Sequence, residues 1–452
     1  MRPVGLSLLM LASLASSSCL ESLRSQQPSP EKWTTGFWFW RGSATAARPP
    51  DPAPDTLYFQ AGELNGPNIF NGNQPWHLYG EIPNPIPAAG EYWMVFRFDR
   101  QSVPDTSAIP VLTNETARLL KVARERGLNL VGIQLDIDSP TASLPQYSAF
   151  LHSVRQQLPP GMQLSITGLL DWFRDDTSVT EVIREVDEFV PQFYDLGDPG
   201  SRQRPVIAAK FDAGRWGPVF NRFGKRFRIG ISTFGRARII RLPGSSGMQS
   251  MIFNDLTPMD IAVNPAFTLQ TSKNETSEMV LNYRAIREVR IGWNTIRAGE
   301  IVQFILPTPE QVRLAVTGAR HIGGSCAGVL FFRWPEYDEA LAMAPAQVMS
   351  IVNSDAKQSR PEVMTVDGEC ASVKCMDVFV VNGVTLNPNP VRYRLKASTE
   401  LEYFIPNPRI PARMTGSSQL ELSLPPWSGR QRIHLGRAVS AMAATYTMET
   451  EQ

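Results

Sequence analysis

Two aspartates, Asp136 and Asp138, stand two residues apart in the otherwise largely apolar run Gly132-Ile133-Gln134-Leu135-Asp136-Ile137-Asp138. Alternate side chains of a strand share a face, so both carboxyls point the same way, roughly 7 Å apart along the backbone. Asp136 then lies deeper and Asp138 nearer a substrate. A carboxylate beside a second carboxyl in a poorly solvated site raises its neighbour's pKa, and the protonated partner can donate to a leaving oxygen. Strand-end capping or a salt bridge to a nearby arginine is the structural alternative. Aromatic rings could complete such a site, because the apolar faces of sugars stack on indoles. Trp38 and Trp40 share one face of Phe37-Trp38-Phe39-Trp40, and Trp172 and Trp334 follow two further apolar runs. Each could equally be core. Arg97 and Arg333 sit near strand ends, where they pair with Asp99 or Asp136 or grip an anionic sugar. Asp171 and Asp195 are reserve carboxylates, with ordinary strand-end hydrogen bonding as their other role.

These residues need a scaffold that brings several strand ends together. Between Trp33 and Val352, eight short apolar runs alternate with helical patterns: 36–40, 56–60, 92–98, 128–137, 163–169, 189–194, 227–233 and 327–332. Helical spacing marks 115–126, 146–157 and 308–319, and Pro159-Pro160-Gly161 stops the second of these. The pattern predicts an α/β chain folded as a (β/α)8 TIM-like barrel, with an open sheet as the alternative. A stretch at about 237–303 exceeds one β/α unit and reads as an insertion after the seventh strand, with helical pieces such as Glu278 to Val289. Insertions there join the C-terminal face, where barrel active sites are built. From 360 to 447 the runs 377–381, 391–396, 401–405, 419–424 and 432–435, separated by Asn, Pro and Gly, predict a β-sandwich-like domain, for carbohydrate binding or for packing.

The run Val131 to Asp138 resembles the fourth-strand motif of family-18 chitinase-type glycosidases, and Gln192-Phe193-Tyr194-Asp195 resembles their sixth-strand tyrosine and aspartate. The family's final glutamate is replaced by Asp138, its opening aspartate by Val131 and its second by Gln134. A closer resemblance, over most of Trp33 to Val352, is to a bacterial domain of unknown function numbered 3142. It rests on 132–138, Leu164 to Trp172, Val186-Asp187-Glu188, Phe227 to Gly230 and Gly328 to Arg333. The chitinase resemblance implies that Asp138 is the general acid, that Asp136 orients it or stabilises positive charge, and that Tyr194 hydrogen-bonds the reacting sugar. It also implies that the substrate's own N-acetyl group is the nucleophile.

Composition narrows the partners. The 452 residues carry 44 Lys plus Arg against 43 Asp plus Glu, a formal net charge of +1, which suits a neutral partner better than nucleic acid or anionic lipid. No Gly-rich phosphate loop, nucleophile elbow, zinc-type His motif or basic aromatic stripe is present, and neither cofactor nor metal is expected. The start of the chain reads as an export signal: Arg2, then the apolar run Val4 to Ala15, too short to span a bilayer. Ala15 to Ser18 precede Cys19 as in a lipoprotein cleavage site, so 1–19 is either a lipoprotein signal acylated at Cys19 or an ordinary one cut near Ala15. Residues 20–32 form a linker. A periplasmic, outer-membrane-anchored or secreted monomer follows, touching a membrane only through that anchor. Of the four cysteines, Cys370 and Cys375 are spaced for a local disulfide, and Cys326 opens an apolar run as a buried thiol. Three functions fit: a glycoside hydrolase on a polysaccharide or oligosaccharide, a non-catalytic carbohydrate-binding envelope lipoprotein, and a structural lipoprotein with its tryptophans packed.

Overall fold

The computed structural model describes residues 33–40, 50–66, 75–98, 102–196, 206–208, 211–242, 250–253, 256–270, 278–292, 294–335, 341–353, 362–370, 374–381, 391–424 and 432–450. The expected signal, Cys19, the linker and Asp99 lie outside the described residues.

Eight parallel strands form a closed ring: β1 (Thr34–Phe39), β2 (Thr56–Asn65), β3 (Glu91–Phe98), β4 (Leu130–Ile137), β5 (Gln163–Gly168), β6 (Glu188–Pro191), β7 (Arg226–Ser232) and β8 (Cys326–Trp334). Each pairs with the next, and β8 returns to β1 through Thr35↔Val329 and Phe37↔Phe331. Closure removes the edges and with them the open-sheet alternative. Helices cover the ring: α1 (Ile109–Glu125), α2 (Leu144–Gln157), α3 (Val179–Arg184) and α4 (Ala213–Asn221) follow β3 to β6, and α5 (Pro309–Ile322) precedes β8, with α6 (Pro345–Asn353) after it. The sequence explains them directly. Buried Leu112, Thr116, Leu119 and Ala123 of α1 recur at three- and four-residue spacing and make one stripe against the barrel. Thr308 caps α5 by accepting from the backbone N–H of Gln311 at 3.2 Å, with Pro309 opening the first turn.

On β4, buried Ile133, Leu135 and Ile137 alternate with Gly132, Gln134 and Asp136, which line the inside of the barrel. Gly132 permits a close approach there. A Cβ at that position would lie 2.5 Å from the Trp93 ring and 2.6 Å from the carbonyl oxygen of Gln163. Gly132→Ala is therefore expected to lower stability by about 1–3 kcal/mol, read as a fall in the urea midpoint without a change in slope.

Between β7 and β8 the chain builds a five-stranded antiparallel sheet in the order 250–253, 236–240, 301–307, 278–285, 267–270. The helix expected around Glu278 to Val289 is instead the strand Glu278–Ala285. From Leu281 on, burial has a period of two, with Leu281, Tyr283 and Ala285 buried, Asn282 half-buried and Arg284 exposed, and Leu281 and Tyr283 lie opposite Phe304 and Val302. Those partners, distant in sequence, decide the matter.

The C-terminal segment forms two four-stranded antiparallel sheets around a shared core that includes Val378, Leu395, Leu420 and Leu435. The first contains 362–367, 375–381, 433–439 and 403–406, and the second 412–416, 419–424, 391–397 and 446–450. The three strands not expected from the sequence, 362–367, 412–416 and 446–450, are all edge strands, so they bury few apolar side chains and leave little pattern to read. Cys370 and Cys375 are joined in a disulfide with their Cα atoms 6.1 Å apart. Cys326 is a free buried thiol, its pKa pushed up to about 11 by burial.

Candidate active site

The inside of the barrel is filled below its mouth by a buried polar network centred on Glu188 at the start of β6. Glu188 is fully buried and meets Arg228 Nε of β7 at 3.0 Å and Arg226 Nε at 3.0 Å. Tyr58 of β2 donates its hydroxyl to the same carboxylate at 2.5 Å, and Ser165 of β5 donates at 3.3 Å. Arg228 Nη1 also donates to Thr34 Oγ1. From Ser165 the chain of bonds continues: Gln134 Nε2 donates to Ser165 Oγ at 3.1 Å, and Trp38 Nε1 donates to Gln134 Oε1 at 2.7 Å. Burial, followed by the negative charge of Glu188, holds the Tyr58 hydroxyl well above the usual phenol range. Burial alone would lower the pKa of Arg228, but Glu188 and then Tyr58 outweigh it and keep the guanidinium above its ordinary value.

Above this floor sits the aspartate pair. Asp136 is half-buried near the end of β4, and its Oδ1 accepts a hydrogen bond of 2.8 Å from Thr167 Oγ1 of β5. Arg97 of β3, half-buried, stands opposite Asp136 in the strand register. Asp138 follows the last residue of β4 and is exposed. The turn beyond it is pinned, because Trp172 Nε1 donates to the carbonyl of buried Ser139 at 2.9 Å. Tyr147 of α2 packs edge-on against Trp172 at 5.9 Å and has a buried hydroxyl with no hydrogen-bond partner among the described residues. Burial, then the charges of Asp136 and Asp138, raise its pKa well above the usual value, so its hydroxyl lies within electrostatic reach of both carboxylates. Asp171 is exposed and accepts from Thr141 Oγ1 at 2.6 Å, which ties the loops after β4 and β5 together.

Across the barrel, Tyr194 stacks on Phe332 with centroids 4.5 Å apart and meets Trp38 edge-on at 5.7 Å. Tyr194 lies beyond β6, in a short strand Tyr194–Leu196 paired with Val206–Ala208, rather than in the sixth barrel strand where it was expected. Because Trp38 reaches Gln134, which alternates with Asp136 on one face of β4, these aromatics line the same interior as Asp136. Asp195 shares the short strand, and its side chain lies outside the described residues. Arg333 is half-buried, and its carbonyl accepts from Thr233 Oγ1 at 3.5 Å.

The aromatic platforms expected from sequence need correcting. Trp38 is 1% exposed and Trp172 and Trp334 are 0% exposed, so none offers a free ring face. Trp38 is part of the floor, and Trp172 anchors a turn. Trp334 packs on Phe37 and Phe39 at 5.5 and 5.8 Å, because the β1–β8 register shifts after Phe37↔Phe331 and sets Trp334 opposite Phe39. Trp40 is half-buried, edge-on to Phe332 at 5.7 Å, and is the one of the four with partial access. Glu188, Arg226, Arg228, Tyr58 and Tyr147 had no place among the expected site residues. A signal existed for the two arginines: Arg226-Phe227-Arg228-Ile229 alternates charge with apolar residues in a central strand, which demands a buried countercharge on a neighbour.

Residues 91–263 match a family described as a domain of unknown function (DUF3142). The chain is also similar in structure to the spore cortex-lytic enzyme SleL of Bacillus cereus, at 11% identity over 72% of this chain and 75% of that one, with a TM-score of 0.44. A family GH18 chitinase from Cycas revoluta in complex with allosamidin matches at 13% identity, 70% and 99% coverage and a TM-score of 0.43. The C-terminal domain of a putative chitinase from Desulfitobacterium hafniense matches at 12% identity, 72% and 100% coverage and a TM-score of 0.47. Among curated proteins no relative matches.

Proposed function

We propose that the chain is an exported, glycoside-hydrolase-like barrel that cleaves a polysaccharide or oligosaccharide by acid catalysis from the aspartate pair after β4. The observation that carries this is the placement of Asp136 and Asp138: an exposed carboxyl at the barrel mouth, with a half-buried one below it fixed by Thr167. Asp138 donates its proton to the glycosidic oxygen as the bond from that oxygen to the anomeric carbon breaks. Asp136 orients it or stabilises the positive charge that develops on the sugar. In the chemistry implied by the motif resemblance, the carbonyl oxygen of the substrate's N-acetyl group bonds to the anomeric carbon. Water then opens that intermediate and returns its proton to Asp138. Tyr194, at the wall of the same interior, hydrogen-bonds the reacting sugar. Export through the N-terminal segment, with acylation at Cys19, would hold the domain at an envelope where such polymers are met.

A second reading, a non-catalytic carbohydrate-binding envelope lipoprotein, is favoured by the shorter reach of Asp138 compared with a glutamate and by the C-terminal β-sandwich. The two separate in one experiment. The full chain is incubated with polysaccharides containing N-acetylated sugars, and both bound protein and released reducing ends are measured. Product release that vanishes in Asp138→Asn supports hydrolysis, whereas release at full rate in that variant overturns the assignment. Saturable binding with no product favours the second reading.

A further inference from the structure

A cavity far from the β4 acids in sequence lies between the sheet inserted after β7 and the C-terminal sandwich, with a volume of about 150 Å³. Its walls come from both modules. Thr257 and Asp260 stand on the inserted side, and Asn407, Arg409, Arg432 and His434 on the sandwich side. The sandwich wall is built rather than loose. Asn407 donates its amide to the carbonyl of His434 at 2.8 Å, donates its backbone N–H to the carbonyl of Leu435 at 2.9 Å, and accepts from the N–H of Arg409 at 3.0 Å. The guanidinium of Arg432 lies over the Phe379 ring, 3.6 Å from its centroid, which leaves its in-plane N–H groups free for an acceptor.

The charges are unbalanced in a specific way. His434 pairs with Asp377 at 3.3 Å, and Asp377 is also bound by Arg437, so that carboxylate is used within the sandwich. Among the described residues neither Arg409 nor Arg432 has a carboxylate partner. Asp260 faces the same cavity, with Oδ2 accepting from the N–H and hydroxyl of Thr257 at 3.0 and 2.6 Å. Two guanidiniums call for an oxyanion, while the carboxylate opposite repels one and calls for a hydroxyl donor. A single small molecule with both groups satisfies the whole wall. The volume is well below the roughly 300–1,000 Å³ of drug-sized ligand pockets, so it suits one monosaccharide rather than a chain of them.

We propose that this pocket binds an acidic sugar of the uronic-acid class, its carboxylate held by Arg409 and Arg432 and a ring hydroxyl donated to Asp260. The site is independent of the chemistry at Asp138, so its success or failure is separate from that of the barrel. Calorimetric titration of the full chain at low ionic strength with glucuronate, glucose and inorganic phosphate tests it. Glucuronate is expected to bind saturably, at least about tenfold more tightly than glucose, and to lose about tenfold or more in Arg409→Glu. Arg409 is exposed, so that variant keeps the wild-type melting temperature. Asp260→Asn is expected to weaken glucuronate and to strengthen phosphate. The assignment is overturned if glucuronate does not saturate, if Arg409→Glu binds it unchanged, or if phosphate binds wild type more tightly than glucuronate does.

Discussion

Asp138→Asn is expected to reduce kcat for glycosidic cleavage by about 10²–10⁴-fold, the usual contribution of a positioned general acid, while stability changes by no more than about 0.5 kcal/mol. The two halves of that expectation come from different facts. Asp138 is exposed and lies past the end of β4, so its side chain contributes little to packing. Asparagine keeps the shape but cannot give up a proton to a leaving oxygen. The informative companion is Asp138→Glu, which restores the length seen at this position in the chitinase-type motif. If the shorter side chain limits proton delivery, the glutamate variant turns over at least as fast as wild type. Steady-state rates on one soluble substrate, with melting temperatures for all three proteins, check this. A full-rate Asp138→Asn protein removes acid catalysis from this residue.

The largest expected effect on stability comes from the barrel floor. Arg228→Ala is expected to cost about 3–5 kcal/mol, because Glu188 would keep a buried charge with its fully buried cationic partner removed. Arg226, 3.0 Å away on the same strand, offsets part of the loss, so the figure falls toward the lower end if its guanidinium takes the vacated space. Replacing both members, Arg228→Met with Glu188→Gln, is expected to recover part of the stability, since the fully buried charges are gone and only the partly exposed Arg226 loses its carboxylate partner. Urea unfolding of the single and double variants measures the coupling. A single-variant cost below about 1 kcal/mol would mean that water reaches Glu188 and that the floor is not sealed. Gln134 ties β4 itself into this network, so the floor also holds the strand at whose end Asp136 and Asp138 stand.

The barrel was legible because its signals are local. Each strand carries its own apolar run, each long helix its own stripe and stop, and eight such strands in succession leave few ways to close. The place of Asp136 and Asp138 at the end of β4 was legible for the same reason, since the apolar run that holds them marks the strand without reference to the rest of the fold. What could not be read depends on register and on partners distant in sequence. Glu278–Ala285 became a strand because strand 301–307 lies beside it, and the sandwich's edge strands bury too little to announce themselves.

The sequence by itself determined the repeating β/α order, the place of Asp136 and Asp138 at the end of the fourth strand, and the close pair Cys370 and Cys375. Only the tertiary structure decided which tryptophans are core. Trp38 and Trp172 found buried acceptors in Gln134 and Ser139, and a register shift between β1 and β8 set Trp334 against Phe39. An indole's fate depends on what lies across the barrel from it, tens to hundreds of residues away, and residue type and local spacing carry no record of that neighbour.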